Sequence, residues 1–262
     1  MIGTVICDAH AHMGSGAEVK ERIRDQIPTL LCASTPAEAE RLTEIIRRGK
    51  NSGLLIPTFG LHPWHAGEYS VEEMKKYLDS CSVIGEIGMD SVWCEVPLPV
   101  QQAVLEQQLL LAAEQKKPVI LHTKGQEAQI AELIGRYPNT YLVHWYSSEQ
   151  YVEEYLKLDC YFSIGPDVWW NRAVQRVARL VPENRILVET DGMSAVKWAY
   201  EEAEAEFSDE SDGSGIRKRP VPGSVREALT RSLEETARIR SMETEKLKRV
   251  VRQNFEMFCG CH

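Results

Sequence analysis

The chain of 262 residues has no run of about 18 apolar residues, so no segment of it reads as a membrane-spanning helix. It opens Met1-Ile2-Gly3-Thr4-Val5-Ile6-Cys7-Asp8, without the basic start and long apolar core of a secretory signal. It has no disulfide framework. Seven cysteines, an odd number, are scattered at Cys7, Cys32, Cys81, Cys94, Cys160, Cys259 and Cys261, which is the pattern of reduced thiols in a cytosol. The expectation is a cytoplasmic monomer with no membrane partner. Basic charge is not in excess either. The net charge is −9, and seven acids without one base lie between Glu201 and Asp212, so the remainder is near neutral. This excludes a protein that coats nucleic acid by neutralising many phosphates, but not a small deep site that grips one or two. Internal repeats are absent. The 43 % hydrophobic and 26 % charged composition excludes a disordered chain.

What is present is an alternation of short apolar runs with helical stretches. Eight candidate strands are Thr4–Asp8, Thr29–Ala33, Leu54–Phe59, Ser82–Gly85, Val119–His122, Thr140–His144, Cys160–Ile164 and Ile186–Glu189. Several are nearly continuous in Val, Ile and Leu, as parallel strands buried on both faces must be. Helix starts are marked by Ser34/Thr35 before Pro36 and by Ser70 before Val71-Glu72-Glu73, and a long amphipathic stretch runs from Pro99 to Lys117. Ser224–Arg240 and Thr244–Phe258 close the chain, with Gly260 as a stop. Eight strands each followed by a helix predict an α/β fold, a (β/α)8 TIM barrel forming a single domain over residues 1–262. Periodicity does not separate this from an open doubly wound sheet. The compositional break at 199–223, acidic, then glycine-serine, then Arg217-Lys218-Arg219, reads as a loop insertion on the C-terminal face.

Five histidines fall at or just past predicted strand ends: His10, His12, His62, His122 and His144. In a barrel that edge is the catalytic rim. In His10-Ala11-His12 the two imidazoles point the same way along an extended backbone. Glu86, between glycines in Ile84-Gly85-Glu86-Ile87-Gly88, follows the fourth strand, and Asp191 follows the eighth. Taken singly, each has a plain structural role open to it: Glu86 as a salt-bridged core acid, Asp191 as a helix N-cap, the histidines as carbonyl-bonded interior residues. Together, four histidines (His10, His12, His122, His144), Glu86 and Asp191 suffice for two divalent cations, bridged most simply by Glu86. Nitrogen-rich ligation favours Zn, Mn, Fe or Ni, and the oxygen donors keep Mg and Mn open.

These residues, in this order, resemble the TatD family of metal-dependent hydrolases, within the amidohydrolase-like barrels. The resemblance rests on Asp8-Ala9-His10-Ala11-His12, Gly60-Leu61-His62-Pro63-Trp64-His65, Gly85-Glu86-Ile87-Gly88-Met89-Asp90, the helix from Gln101 through Ala112, and the strand ends at His122, His144 and Glu189-Thr190-Asp191. It implies a deoxyribonuclease, typically a 3′-to-5′ exonuclease on single-stranded DNA. His10, His12, Glu86 and Asp191 would hold one metal, and Glu86, His122 and His144 the second. Asp191 would orient and deprotonate the attacking water, with Glu86 as the other catalytic carboxylate. His62 would face the substrate. The departures all lie around the substrate. Lys124 stands where the family usually has arginine, Trp145-Tyr146-Ser147-Ser148 replaces a cysteine- and glycine-bearing segment, and Arg217 sits in an altered basic loop. Lys124, Trp145 and Arg217 are the expected substrate contacts. Trp64, Trp93, Trp169 and Trp170 could also stack on bases, although packing is the plainer role. The altered residues leave a small ester or amide as an alternative substrate, and a non-catalytic metal protein as a third reading. The tail Cys259-Gly260-Cys261-His262 resembles a soft-metal tag but lacks a fourth ligand, and a frayed end is expected.

Overall fold

The computed structural model describes residues 5–48, 53–206 and 219–260. Eight strands form one parallel sheet in sequential order: β1 (Asp8–His12), β2 (Thr29–Ala33), β3 (Leu55–Phe59), β4 (Val83–Asp90), β5 (Val119–Lys124), β6 (Tyr141–Val143), β7 (Tyr161–Ile164) and β8 (Ile186–Val188). The sheet curls until a parallel bridge joins Asp191, just past β8, to Ala11 in β1, where Asp191 N–H donates to the His10 carbonyl. That contact decides for the nearly closed barrel over the open sheet. The strands bury Val, Ile and Leu on both faces because helices cover the outside: α1 (Gly16–Arg24), α2 (Pro36–Arg48), α3 (Val71–Ser80), α4 (Leu98–Gln115), α5 (Glu127–Gly135), α6 (Val152–Lys157), α7 (Arg172–Leu180) and α8 (Met193–Glu206), followed by α9 (Val225–Ile239) and α10 (Thr244–Cys259).

Local signals set these boundaries. Ser15 with Glu18 and Ser70 with Glu73 form reciprocal capping boxes at the starts of α1 and α3. Left-handed Lys116 ends α4, and left-handed Gly260 ends α10. Gly88 in β4 lies so close to the His122 backbone of β5 that a Cβ would overlap it, which explains a glycine in mid-strand.

Four sequence expectations are corrected. The first strand is Asp8–His12 rather than Thr4–Asp8; the polar residues belong in it because Asp8 is paired to buried Arg22 and the histidines face the barrel interior. The fourth strand runs five residues beyond Gly85 to Asp90, since Glu86 and Asp90 find partners inside the barrel. The expected loop from residue 199 is helical through Glu206. Alanine and glutamate favour a helix there, and Tyr200 and Ala203 pack against Trp169. Residues 207–218, Arg217 among them, lie outside the described residues, as do Cys261 and His262. Cys259 is not frayed but buried at the end of α10.

Candidate metal centre

All six expected ligands meet at the C-terminal mouth of the barrel, around Glu86. The two oxygens of this buried carboxylate face different groups. Oε2 lies 3.5 Å from His10 Nε2 and 3.2 Å from His12 Nε2. Oε1 lies 2.7 Å from His122 Nδ1, 2.6 Å from His144 Nε2 and 3.6 Å from His62 Nε2. Asp191 Oδ1 completes the first side, 3.3 Å from His10 Nε2 and 3.6 Å from His12 Nε2. Asp191 adopts φ 58° and Gly192 φ 95°, two successive left-handed residues that swing the carboxylate over β1. Aspartate tolerates that conformation better than most residues.

The donor set fits divalent cations. His10, His12 and Glu86 offer ligand atoms within 4.8 Å of one another, and so do His10, His144 and Asp191, and His62, Glu86 and His122. Among the described residues, His10 Nδ1 and Nε2, Glu86 Oε2 and Asp191 Oδ1 are buried without a hydrogen-bond partner. A buried polar atom left so is costly unless something fills the role. His62, expected to face substrate, is also within ligand range.

Charge is balanced internally. Burial pushes the Glu86 carboxyl up, but the imidazoles of His144 and His122 push harder and hold it well below the usual carboxylate range. Burial and the charge of His144 oppose protonation of His10, yet Asp191 and Glu86 raise it to about 9. Burial wins at His62, which falls to about 4 and is neutral at pH 7.

Residues behind the ligands orient them. Asp90 Oδ2 accepts from His122 Nε2 at 3.1 Å and from Trp64 Nε1 at 2.8 Å, while its Oδ1 takes the backbone N–H of Val92 and Trp93. His144 Nδ1 donates to buried Glu189 Oε1 at 3.1 Å, and Ser163 Oγ donates to the other Glu189 oxygen. Those hydrogen bonds fix the two rings so that His122 Nδ1 and His144 Nε2 both face Glu86 Oε1. On α4, Gln108 accepts from Leu61 N–H at 2.7 Å and donates to the Leu61 carbonyl at 3.1 Å, and Gln101 does the same for Asp90 at 2.8 Å and 3.0 Å. Sequence reading assigned none of these four a role. The available signal was two glutamines seven apart on the leucine face of one helix, and acids four residues after Glu86 and two before Asp191. Glu189→Gln should weaken divalent-cation binding by about 10–100-fold, read by competition with a chromogenic chelator. Unchanged affinity would remove Glu189 from the orienting role.

The cleft above these groups holds about 600 Å³. Of the expected substrate contacts, His62, Lys124 and Trp145 line it, with Trp64 and Trp170; Trp169 is instead buried against α8. A cleft over clustered histidines and carboxylates is the arrangement of a candidate metal site open to a ligand. The chain belongs to the family of TatD-related DNases, which it matches over residues 7–260. It is similar to the human 3'-5' RNA nuclease TATDN2, 31 % identical over 155 residues, 53 % of this chain and 20 % of that one. It is 30 % identical over 166 residues to the metal-dependent hydrolase YjjV of Escherichia coli (strain K12), 59 % of this chain and 64 % of that one. The match to the 3'-5' ssDNA/RNA exonuclease TatD of Pantoea vagans (strain C9-1) is 28 % over 193 residues, covering 66 % and 72 %. The match thus spans less than two thirds of the first two relatives. The crystal structure of YjjV shares the fold, with TM-score 0.75, 21 % identity and 97 % of each chain covered. No helix among the described residues is long and apolar enough to cross a membrane.

Proposed function

We propose that the chain is a two-cation phosphodiesterase acting on single-stranded nucleic acid ends, most simply a 3′-to-5′ deoxyribonuclease. The observation that carries this reading is the division of Glu86: one oxygen toward His10, His12 and Asp191, the other toward His122 and His144. A single carboxylate so placed would bridge two ions, with His10, His12 and Asp191 on one and His122 and His144 on the other. Bound divalent cations would supply Lewis acidity toward a phosphoryl oxygen and acidify a water at neutral pH. The chain's own residues do the rest. Asp191 Oδ1, free of other partners, accepts the proton of the attacking water. Neutral His62 presents a ring nitrogen beside Glu86 and can hydrogen-bond the substrate from the cleft wall. Lys124 supplies one positive charge for a phosphate, and Trp145 a face for a base. Arg217, outside the described residues, is a candidate second charge. Nuclease names among the relatives and in the family itself support phosphodiesters over small esters or amides.

The test is to strip the protein with chelator, reconstitute it with Mn, Zn or Mg, and compare end-labelled oligonucleotides with a panel of small esters and amides. Nucleotide release that appears only with metal is expected. Absence of release with every metal, alongside ester or amide turnover, would replace the phosphodiester reading.

A further inference from the structure

One side of the cleft mouth is built of indoles from three different segments. Trp93 follows β4, Trp145 follows His144, and Trp198 lies on α8. Trp198 joins the other two, its ring centroid 5.9 Å from each in edge-to-face contact. Trp93 remains 50 % exposed and Trp198 42 %, and both line the same cleft as His12, Glu86 and His144. Adjoining aromatic surface of this kind, left open to water beside a reaction site, marks a binding face.

The wall is held in place. Trp145 Nε1 donates to the buried Asp167 Oδ1 at 2.7 Å, and Asn171 Nδ2 holds the second Asp167 oxygen at 2.7 Å. Behind the ring is the backbone of Gly165, where a Cβ would stand 2.5 Å from the indole. The N–H edge of Trp145 and its side toward Gly165 are therefore fixed by protein, and the residue lines the cleft. Lys124 Nζ rests 4.3 Å from the Trp93 centroid and donates to Ser147 Oγ at 3.1 Å. It stands two residues beyond His122 on β5, on the same side of the strand, so it adjoins both the wall and the metal ligands.

We propose that Trp93, Trp145 and Trp198 form a stacking wall for an unpaired nucleobase whose phosphate sits at Lys124, so that the site selects base-bearing single strands over phosphodiesters in general. The inference rests on the phosphodiesterase reading above and adds the residues that would hold the base. Charge argues the same way. A chain of net −9 cannot draw affinity from many phosphates, and stacking is the remaining large contribution. Every base has a π-face, so the wall tolerates any sequence, whereas bases inside a duplex are already stacked on their neighbours.

The test is calorimetric titration of the full chain, in chelator to prevent cleavage, with unlabelled oligo(dT), oligo(rU) and an abasic strand of equal length and charge. Base-bearing strands should bind at least about tenfold more tightly than the abasic one, as expected for one stacked base. The oligo(rU) arm separates RNA from DNA, and preference for either over the abasic strand supports the wall. Trp198→Ala and Trp93→Ala should each cut that preference to about threefold or less, and Lys124→Ala should weaken all three strands alike. Both tryptophans are half exposed, so a folded variant is expected, and circular dichroism checks it; if one unfolds, the other carries the test. Equal binding of base-bearing and abasic strands, or an undiminished preference in the folded variants, overturns the proposal. The two readings fail separately. Metal-loaded enzyme that cleaves abasic and base-bearing strands equally removes the wall and keeps the phosphodiesterase. Selective binding of base-bearing strands without nucleotide release under any metal does the reverse.

Discussion

Asp191→Asn is expected to lower kcat on oligonucleotides by about 10²–10⁴-fold, the range a positioned acid or base contributes. The substitution keeps the size of the side chain and removes its charge and its ability to accept a proton. Asp191 Oδ1 sits 3.3 Å from His10 Nε2 and 3.6 Å from His12 Nε2 and has no other partner among the described residues. Burial opposes ionisation of Asp191, yet the close approach of His10 and the charges of His12 and His144 hold its carboxyl below the usual value. An ionised, buried, unshared oxygen can both take a proton and bind a cation. An asparagine oxygen does neither well. The fold should survive, because the barrel closes there through the Asp191 N–H and the His10 carbonyl, which the substitution leaves in place. The measurement is steady-state turnover with saturating metal, beside thermal unfolding of the stripped protein. A kcat within threefold of the parent would remove Asp191 from the chemistry.

The cluster at the barrel mouth could be read in the sequence because each member is a polar residue at the end of an apolar run, an expensive arrangement without a purpose. His122 after Val119-Ile120-Leu121 and His144 after Tyr141-Leu142-Val143 are the clearest. The same logic misplaced β1. An apolar run was sought before Asp8, while the strand consists of Asp8, His10 and His12 alternating with two alanines. Its polar side chains are affordable inside the barrel only because Arg22, Glu86 and Asp191 meet them there. The supporting residues were not legible for a different reason. Asp90 serves His122 from 32 residues away, Glu189 serves His144 from 45, and Gln108 serves Leu61 from 47. Such pairings follow from strand register and helix orientation, and no local pattern encodes them. Trp198 belongs to no sequence motif, its neighbours being Lys197 and Ala199; only the placement of α8 over the cleft brings it to Trp93 and Trp145.

Arg22→Met is expected to be the most destabilising single change in the set, by about 3–5 kcal/mol, the cost of leaving one member of a buried ion pair alone. Arg22 is buried on α1, and its Nη1 lies 2.6 Å from Asp8 Oδ2 while its Nη2 donates to Thr190 Oγ1 at 3.2 Å. Asp8 also takes the Thr190 N–H at 2.9 Å and the Thr190 hydroxyl at 2.6 Å. One guanidinium and one carboxylate thus tie α1, the first strand and the chain after the last strand together beneath the candidate ligands His10 and Asp191. Without the guanidinium, the Asp8 carboxylate keeps only the two Thr190 donors. At about 2–4 °C per kcal/mol for a chain of this size, the melting temperature should fall by about 6–20 °C. Asp8→Asn combined with Arg22→Met should cost less than the sum of the two single changes, because the second substitution removes the charge that the first left stranded. Thermal unfolding of the stripped protein followed by circular dichroism supplies all four corners of that cycle. The pair also predicts a functional trace. With the Arg22 donor to Thr190 Oγ1 gone, the neighbouring Asp191 is held less firmly, so Arg22→Met should lower kcat even at temperatures where the protein remains folded. A variant within 1 kcal/mol of the parent, or an additive cycle, would show that the barrel closes without this ion pair.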